Sequence, residues 1–393
     1  MNKILVLFFA LVSSSAFATT WYVAKSGKDT NMGKSEGTAF LTIQKAVDSA
    51  SDGDLILVGS GVYSPTSISK NGVVNSNKKI IIKSLNGYKD TIIDAQNKMC
   101  CLYDGGNYNY TNCTLIGFSL INGRAPSNFN MGGGAIGGRL VNCVISNCYA
   151  LANAGGAYFT RMENCLILAC NAPEGYASAA YSCELRNCTV TQNRLEGSLA
   201  GGQCALYECA VYNTIVYDNP SGGLGPGCSA HNCVTSDPKF RDAAHGDYRL
   251  QKSSPCIDAG DNSYSTTDTD LAGRVRIYNG KVDIGAYEYQ PDVFGGIRNI
   301  VAKQRYPWNG LVDFSFEVTG DPATAYKTSF LAHDHVSATN IPSRTIYASD
   351  GSRLSVTNSL KPGVYRWIWN ALADLPNGFV SERMTIEGNV EEP

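Results

Sequence analysis

"LVNCVISNCYALANAGGAY", residues 140–158, carries the pairs Asn142-Cys143 and Asn147-Cys148 and then the doublet Gly155-Gly156. Its siblings decide what it is. Asn112-Cys113, Asn142-Cys143, Asn164-Cys165, Asn187-Cys188, Glu208-Cys209 and Asn232-Cys233 recur along the chain, the later ones 21 to 24 residues apart. Two residues before most of them stands an apolar position: Leu140, Met162, Leu185, Leu206 and Ala230. A second polar turn position follows at Asn147, Asn193 and, one place displaced, Asn171. Small doublets come next: Gly155-Gly156, Ala179-Ala180, Gly201-Gly202 and Gly222-Gly223. Self-similarity at this period is the signature of a solenoid.

Strand periodicity says which solenoid. In "CELRNCTVTQN" (183–193), Cys183 and Leu185 share one face while Glu184 and Arg186 share the other, as a period of two requires. A break at Asn187 resets the phase, and Cys188 and Val190 then point inward. Asn suits the break because it tolerates the left-handed backbone and bonds locally. Glycine suits the far corner, where φ > 0 or close backbone approach is needed. Three short strands with three corners make an all-β fold, a right-handed parallel β-helix. A leucine-rich repeat would need several apolar anchors and a helical return; each coil here offers one leucine-type anchor and a glycine return.

"FLTIQKAVDSASDGDLILVGSGVY" (40–63) resembles the opening of β-helix proteins of the pectin-lyase-like superfamily, where a capping helix precedes the first strand. Ile43, Ala46, Val47 and Ala50 form one helical stripe behind a Thr42 N-cap, as an end cap should. The Asn…Asn…Gly-Gly-Ala coils are similar to polymorphic outer-membrane protein repeats. "SPCIDAGDN" (254–262) and "DLAGRVRIYNGKVDIGAYEY" (270–289) resemble the closing segment of choice-of-anchor-type secreted bacterial β-helix proteins. The resemblance implies a fold over residues 20–290 and no particular activity, since the superfamily holds lyases, hydrolases and adhesins.

Most of the 14 cysteines fall at matching coil positions. One ladder runs through Cys143, Cys165, Cys188, Cys209 and Cys233, a second through Cys183, Cys204 and Cys228, a third through Cys148 and Cys170. Rungs on adjacent coils lie about 4.8 Å apart, whereas a disulfide brings Cβ atoms to about 3.8 Å. Stacked interior thiols are therefore expected, with scattered disulfides as the alternative. The Cys spacing matches no common zinc pattern.

Lys and Arg number 32 against 34 Asp and Glu. This balance lacks the basic stripe of a nucleic-acid binder. Residues 1–18 read as a signal peptide, with Lys3, an apolar run from Ile4 to Val12, and the cleavage site Ala16-Phe17-Ala18. The run is too short to span a bilayer and no second one follows. Cleavage near Ala18 would leave a secreted or outer-membrane-surface protein with no transmembrane segment in the mature chain.

A lyase needs a basic group beside Ca²⁺ carboxylates, and a glycosidase needs two placed carboxylates. The repeats are poor in acids, and neither set is evident. Beside the first ladder, Arg139, Arg161, Glu163, Arg186 and His231 would lie on one outer face, the best candidate site. In "TDTDLAGR" (267–274), Asp268 and Asp270 are candidate Ca²⁺ ligands, although the closing glutamate of a calcium loop is missing. No other cofactor is expected.

A β-helix over 19–290 is then followed by a small β-sandwich over 297–393. Val312, Phe314, Phe316 and Val318 alternate with polar residues, and "GVYRWIWN" (363–370) alternates likewise. Tyr365, Trp367 and Trp369 serve as core or as a sugar platform, and His333 with His335 is a weak metal pair. Two function classes stand. One is a non-catalytic module, glycan-binding, adhesive or structural, whose partner is a polysaccharide or cell-surface glycan. The other is a pectate- or uronate-type lyase or a glycoside hydrolase using Arg161, Glu163, Arg186 and His231. The missing carboxylate cluster favours the first.

Overall fold

The structure, a computed structural model, describes residues 18–67, 70–105, 112–127, 130–194, 204–220, 222–290, 296–305, 309–320, 325–334, 339–355, 357–375 and 384–391. The signal-peptide reading at 1–17, Gly201-Gly202 and His335 lie outside these residues. The chain forms two compact units that part between Tyr289 and Gln290.

The first unit is a parallel β-solenoid with three sheets. Its first sheet has nine strands, from Thr20–Val23 to Ser229–His231. The second has seven, from Gly61–Tyr63 to Ile215–Val216, and the third six, from Gly72–Ser76 to Cys204–Tyr207. Each coil adds one strand to each sheet, so the register repeats: Leu140 pairs with Leu115 and Met162, and Ile145 with Leu120 and Ile167. These inward residues are fully buried. Helix α1 (Ile43–Ser49) buries Ile43, Ala46 and Val47 against the first coils, with Thr42 accepting from the Lys45 amide at its N-cap. This is the cap that the helical stripe predicts.

The asparagines make the bends. Asn142, Asn164, Asn187, Asn213 and Asn232 all hold φ between 47° and 52°, the left-handed region that Asn tolerates. Asn164 donates to Asn142 at 3.1 Å and Asn213 to Asn187 at 3.0 Å, so the bends also stack. Gly155 and Gly156 serve close approach instead: a Cβ on either would stand 2.4–2.5 Å from a carbonyl oxygen of the next coil.

All the cysteines are free thiols, but the ladders need correcting. Cys143, Cys165 and Cys188 stack at the corner into the second sheet, where their Sγ atoms donate to backbone carbonyls. The next rung is Thr214, whose hydroxyl accepts the Cys188 amide, and then Cys233. Cys209 belongs to the other corner with Cys183 and Cys228, because Glu184 pairs with Ala210 and Ala210 with Ser229. Cys204 pairs with Ala177 inside the third sheet. Cys148 and Cys170 share the third ladder, as read, and Asn193 continues it. Burial pushes the Cys143, Cys165 and Cys209 thiols well above their ordinary range, which suits inert small hydrophobes.

Residues 236–289 do not extend the stack. After the hairpin Phe240–Asp242 and Asp247–Leu250, the chain runs back along the outside of the second sheet. Phe240, Tyr248, Leu271, Ile284 and Tyr287 cover the outward Val144, Leu166 and Ile215. That outer face is apolar, so it needs a cover.

The second unit holds two antiparallel sheets. One orders Gly296–Gln304, Leu311–Thr319, Gly363–Asn370 and Ile346–Ala348; the other is built around Tyr326–Asp334. Phe314, Phe316, Phe330, Ile341, Trp367 and Trp369 form their common core. Trp367 and Trp369 are thus core, and Trp369 donates from Nε1 to Asp374 at 2.8 Å.

Candidate functional site

The outer face of the first sheet gathers the predicted row. Arg139 pairs with Arg161 and Arg161 with Glu184 at one outward position. At the other, Val141, Glu163, Arg186, Tyr212 and His231 follow one another on successive coils. The fold therefore brings Arg161, Glu163, Arg186 and His231 onto one surface.

Glu163 is the hub and is only 1% exposed. Arg139 grips it through Nε and Nη2 at 3.2 and 2.6 Å, and Arg161 Nε donates at 2.9 Å. The Thr266 hydroxyl, from the returning segment, donates to its other oxygen. Burial by itself would raise the Glu163 carboxyl, but the hydrogen bonds from Arg139 and Thr266 and the two guanidinium charges outweigh it and hold the group below its ordinary range. Arg186 donates to Glu184 at 2.6 Å and lies 5.3 Å from the centre of the Tyr212 ring. Tyr212, exposed His231 and Tyr264 form an aromatic group, with Tyr212 and His231 stacked at 5.4 Å and Tyr264 at 4.5 Å from Tyr212.

The returning segment roofs one edge of this face. Asn164 donates to the Thr267 hydroxyl at 2.5 Å and the Thr269 carbonyl at 2.7 Å, and Asn213 donates to the Asp261 carbonyl at 2.9 Å. The bend asparagines are thus also anchors, a role the repeat pattern does not reveal. Asp268 is exposed. Asp270 is buried, and its two oxygens accept the Arg274 and Glu288 amides at 2.8 and 2.9 Å. The two carboxylates do not share a ligand position, and the described residues hold no cluster of three or more His, Cys, Asp or Glu able to bind a metal.

Asp270 belongs to a buried knot. Arg276 donates from Nη2 to the Asp283 and Gly285 carbonyls at 2.7 and 2.9 Å, and its Nη1 is 3.9 Å from Glu288. Glu288 accepts the Tyr278 and Asp283 amides, each at 3.1 Å. Asp283 accepts those of Asp258 and Tyr289. Burial pushes Asp283 up to about 6 and Glu288 up to about 8. These residues explain "DLAGRVR…DIGAYEY" as a structural motif.

A tyrosine column on the third sheet escaped the reading of the sequence. Tyr158, Tyr181 and Tyr207 are in register, and Tyr181 and Tyr207 stack at 5.3 Å with planes 4° apart. Their recurrence two residues before Thr160, Cys183 and Cys209 is the signal that could have found them. Tyr158 is tilted by 36° against Tyr181, so the column is stacked face to face only between Tyr181 and Tyr207.

No family model matches the chain, and no curated protein matches it. Among solved structures it is similar to a pectate lyase, Pel9A, at 14% identity and TM-score 0.36, over 69% of this chain and 96% of that one. It is also similar to XylC in complex with xylose at 9% identity and TM-score 0.23, over 94% and 100%. At these scores neither likeness bears on activity. No helix among the described residues is long and apolar enough to cross a membrane.

Proposed function

We propose that the protein is a secreted or surface-exposed module that binds a glycan on the outer face of the first sheet without cleaving it. The observation that carries this reading is the closure of Glu163 by Arg139, Arg161 and Thr266. A glycosidase needs a carboxylic acid that releases a proton near neutral pH beside a second placed carboxylate; a carboxylate held ionised by two guanidinium groups does not supply that acid. Arg139, Arg161 and Arg186 keep part of each side chain exposed and carry more donors than Glu163 and Glu184 can take, and the Tyr212, His231 and Tyr264 rings end the row. Export rests on the N-terminal sequence.

The test is to incubate the full chain with mixed polyuronides and neutral polysaccharides, with and without Ca²⁺. Ultraviolet absorbance of unsaturated uronates, reducing ends and retention on the immobilised glycans are followed together. Retention without new ends is expected, weakened by Arg161→Gln and Tyr212→Ala. Unsaturated product that disappears in Arg161→Gln would establish the lyase reading instead.

A further inference from the structure

The second unit carries another surface, independent of the solenoid. Its sheet of Gly296–Gln304, Leu311–Thr319, Gly363–Asn370 and Ile346–Ala348 turns Phe314, Phe316, Trp367 and Trp369 inward, so the alternate residues face out. Register sets Val301, Ser315 and Arg366 in one outer row and Lys303, Asp313, Ile368 and Tyr347 in the next. Glu317 and Val364 form a third.

The charges of this face do not cancel. Asp313 is closed by Arg305, which donates through Nε and Nη2 at 2.9 and 2.7 Å. Glu317 is closed by Arg298 at 3.0 and 2.6 Å and by Asn299 at 2.9 Å. Both carboxylates are therefore spent on other arginines. Lys303 and Arg366 are exposed and have no carboxylate in salt-bridge contact among the described residues. They line a shallow concavity of about 380 Å³ together with Val301, the Arg305–Asp313 pair, Ser315, Ser349 and Ile368. Val301 is 64% exposed, apolar surface that folding leaves in water.

We infer that this concavity binds an acidic sugar unit of a polyanionic glycan. A uronate supplies the three features the face lacks. Its carboxylate answers Arg366 and Lys303, with Arg366 offering a planar fork. The C–H face of the ring covers Val301 and Ile368, and its hydroxyls reach Ser315 and Ser349. A bare inorganic anion would leave the valine uncovered.

Calorimetric titration of the full chain with a uronate oligomer and with its methyl-esterified form tests this. The acid form should bind and the ester should not, with affinity falling as salt rises. Arg366→Gln and Lys303→Gln should each weaken binding about tenfold, the loss of one charge-assisted pair. Lys252→Gln, at an exposed lysine of the first unit, should leave this binding unchanged. Equal binding of acid and ester, no binding of either, or wild-type affinity in Arg366→Gln overturns the proposal. Inorganic sulfate that displaces the uronate at equal concentration overturns it too, by reducing the site to an anion hole. Binding lost in Arg161→Gln but kept in Arg366→Gln assigns the glycan to the solenoid and also overturns it.

Discussion

The coils and the segment that runs back over them hold a chain in place by opposite means. In the coils, position comes from repetition: Leu115, Leu140, Met162 and Leu185 stack rung on rung, all buried, between strands in unbroken parallel register. The returning segment has almost no strand after Leu250. Its hold comes from Asp270, Asp283 and Glu288, each of which accepts two backbone amides around buried Arg276. A buried backbone needs its polar groups satisfied. The coils meet that need through the ladder, the return through carboxylates. The first solution is indifferent to pH and distributed over many rungs; the second is local and titrates.

The contrast can be broken from either side. Arg276→Ala leaves the buried Asp283 and Gly285 carbonyls without their donor, a loss of about 1–3 kcal/mol for each. Hydrogen exchange should accelerate over 255–289 and stay slow in the strands of the first sheet; uniform acceleration would make the two regions one cooperative unit. Leu140→Ala removes a rung and should cost about 2–5 kcal/mol, read by denaturant unfolding as a loss spread over neighbouring coils. Asn164→Gly removes the side-chain bonds to Thr267, Thr269 and Asn142 while glycine still accepts the left-handed bend, and should cost about 1–3 kcal/mol, with the return loosened and the bend kept. That outcome separates the anchor from the turn.

The smallest effect sharpens the comparison. Glu288 and Asp283 have folded values of about 8 and about 6 against ordinary values of 4.5 and 3.8. The folded state therefore binds protons more tightly than the unfolded chain. Their stabilisation is full below those ordinary values and is lost as pH rises through about 6 and then about 8. Glu163, held low, acts in the opposite sense, and its contribution is lost as pH falls below the ordinary carboxylate range. Exchange of the 283–289 amides, corrected for intrinsic rate, should quicken between about pH 5 and about pH 8 while the coil amides stay constant. Constant protection across that window would remove the carboxylates as the cause.

The sequence carried the coil architecture well and the rung assignment less well. Thr42 and the Ile43, Ala46, Val47 stripe gave the cap because helix signals are local. Alignment on cysteine failed at Glu208-Cys209 because cysteine fills two corners of the same triangular coil, and both point inward. Asn213-Thr214 is the true bend there, with φ of 47° at Asn213. The row of Arg139, Arg161, Glu163, Arg186 and His231 was legible as one face from period two. That Glu163 would be closed on both sides was not, since Thr266 is 103 residues away.

What the sequence by itself determined is what each residue's immediate neighbours dictate: which side chains enter the coil, where asparagine bends the chain, where the capping helix begins, and where a second alternating unit starts. Only the tertiary structure decided which outer face remained open. That outcome depended on Val144, Leu166 and Ile215 presenting an apolar face on successive coils for the return to cover. It depended equally on carboxylates meeting arginines from other strands. Both are set by contacts between distant segments, where burial and charge pairing act through space and leave no period along the chain.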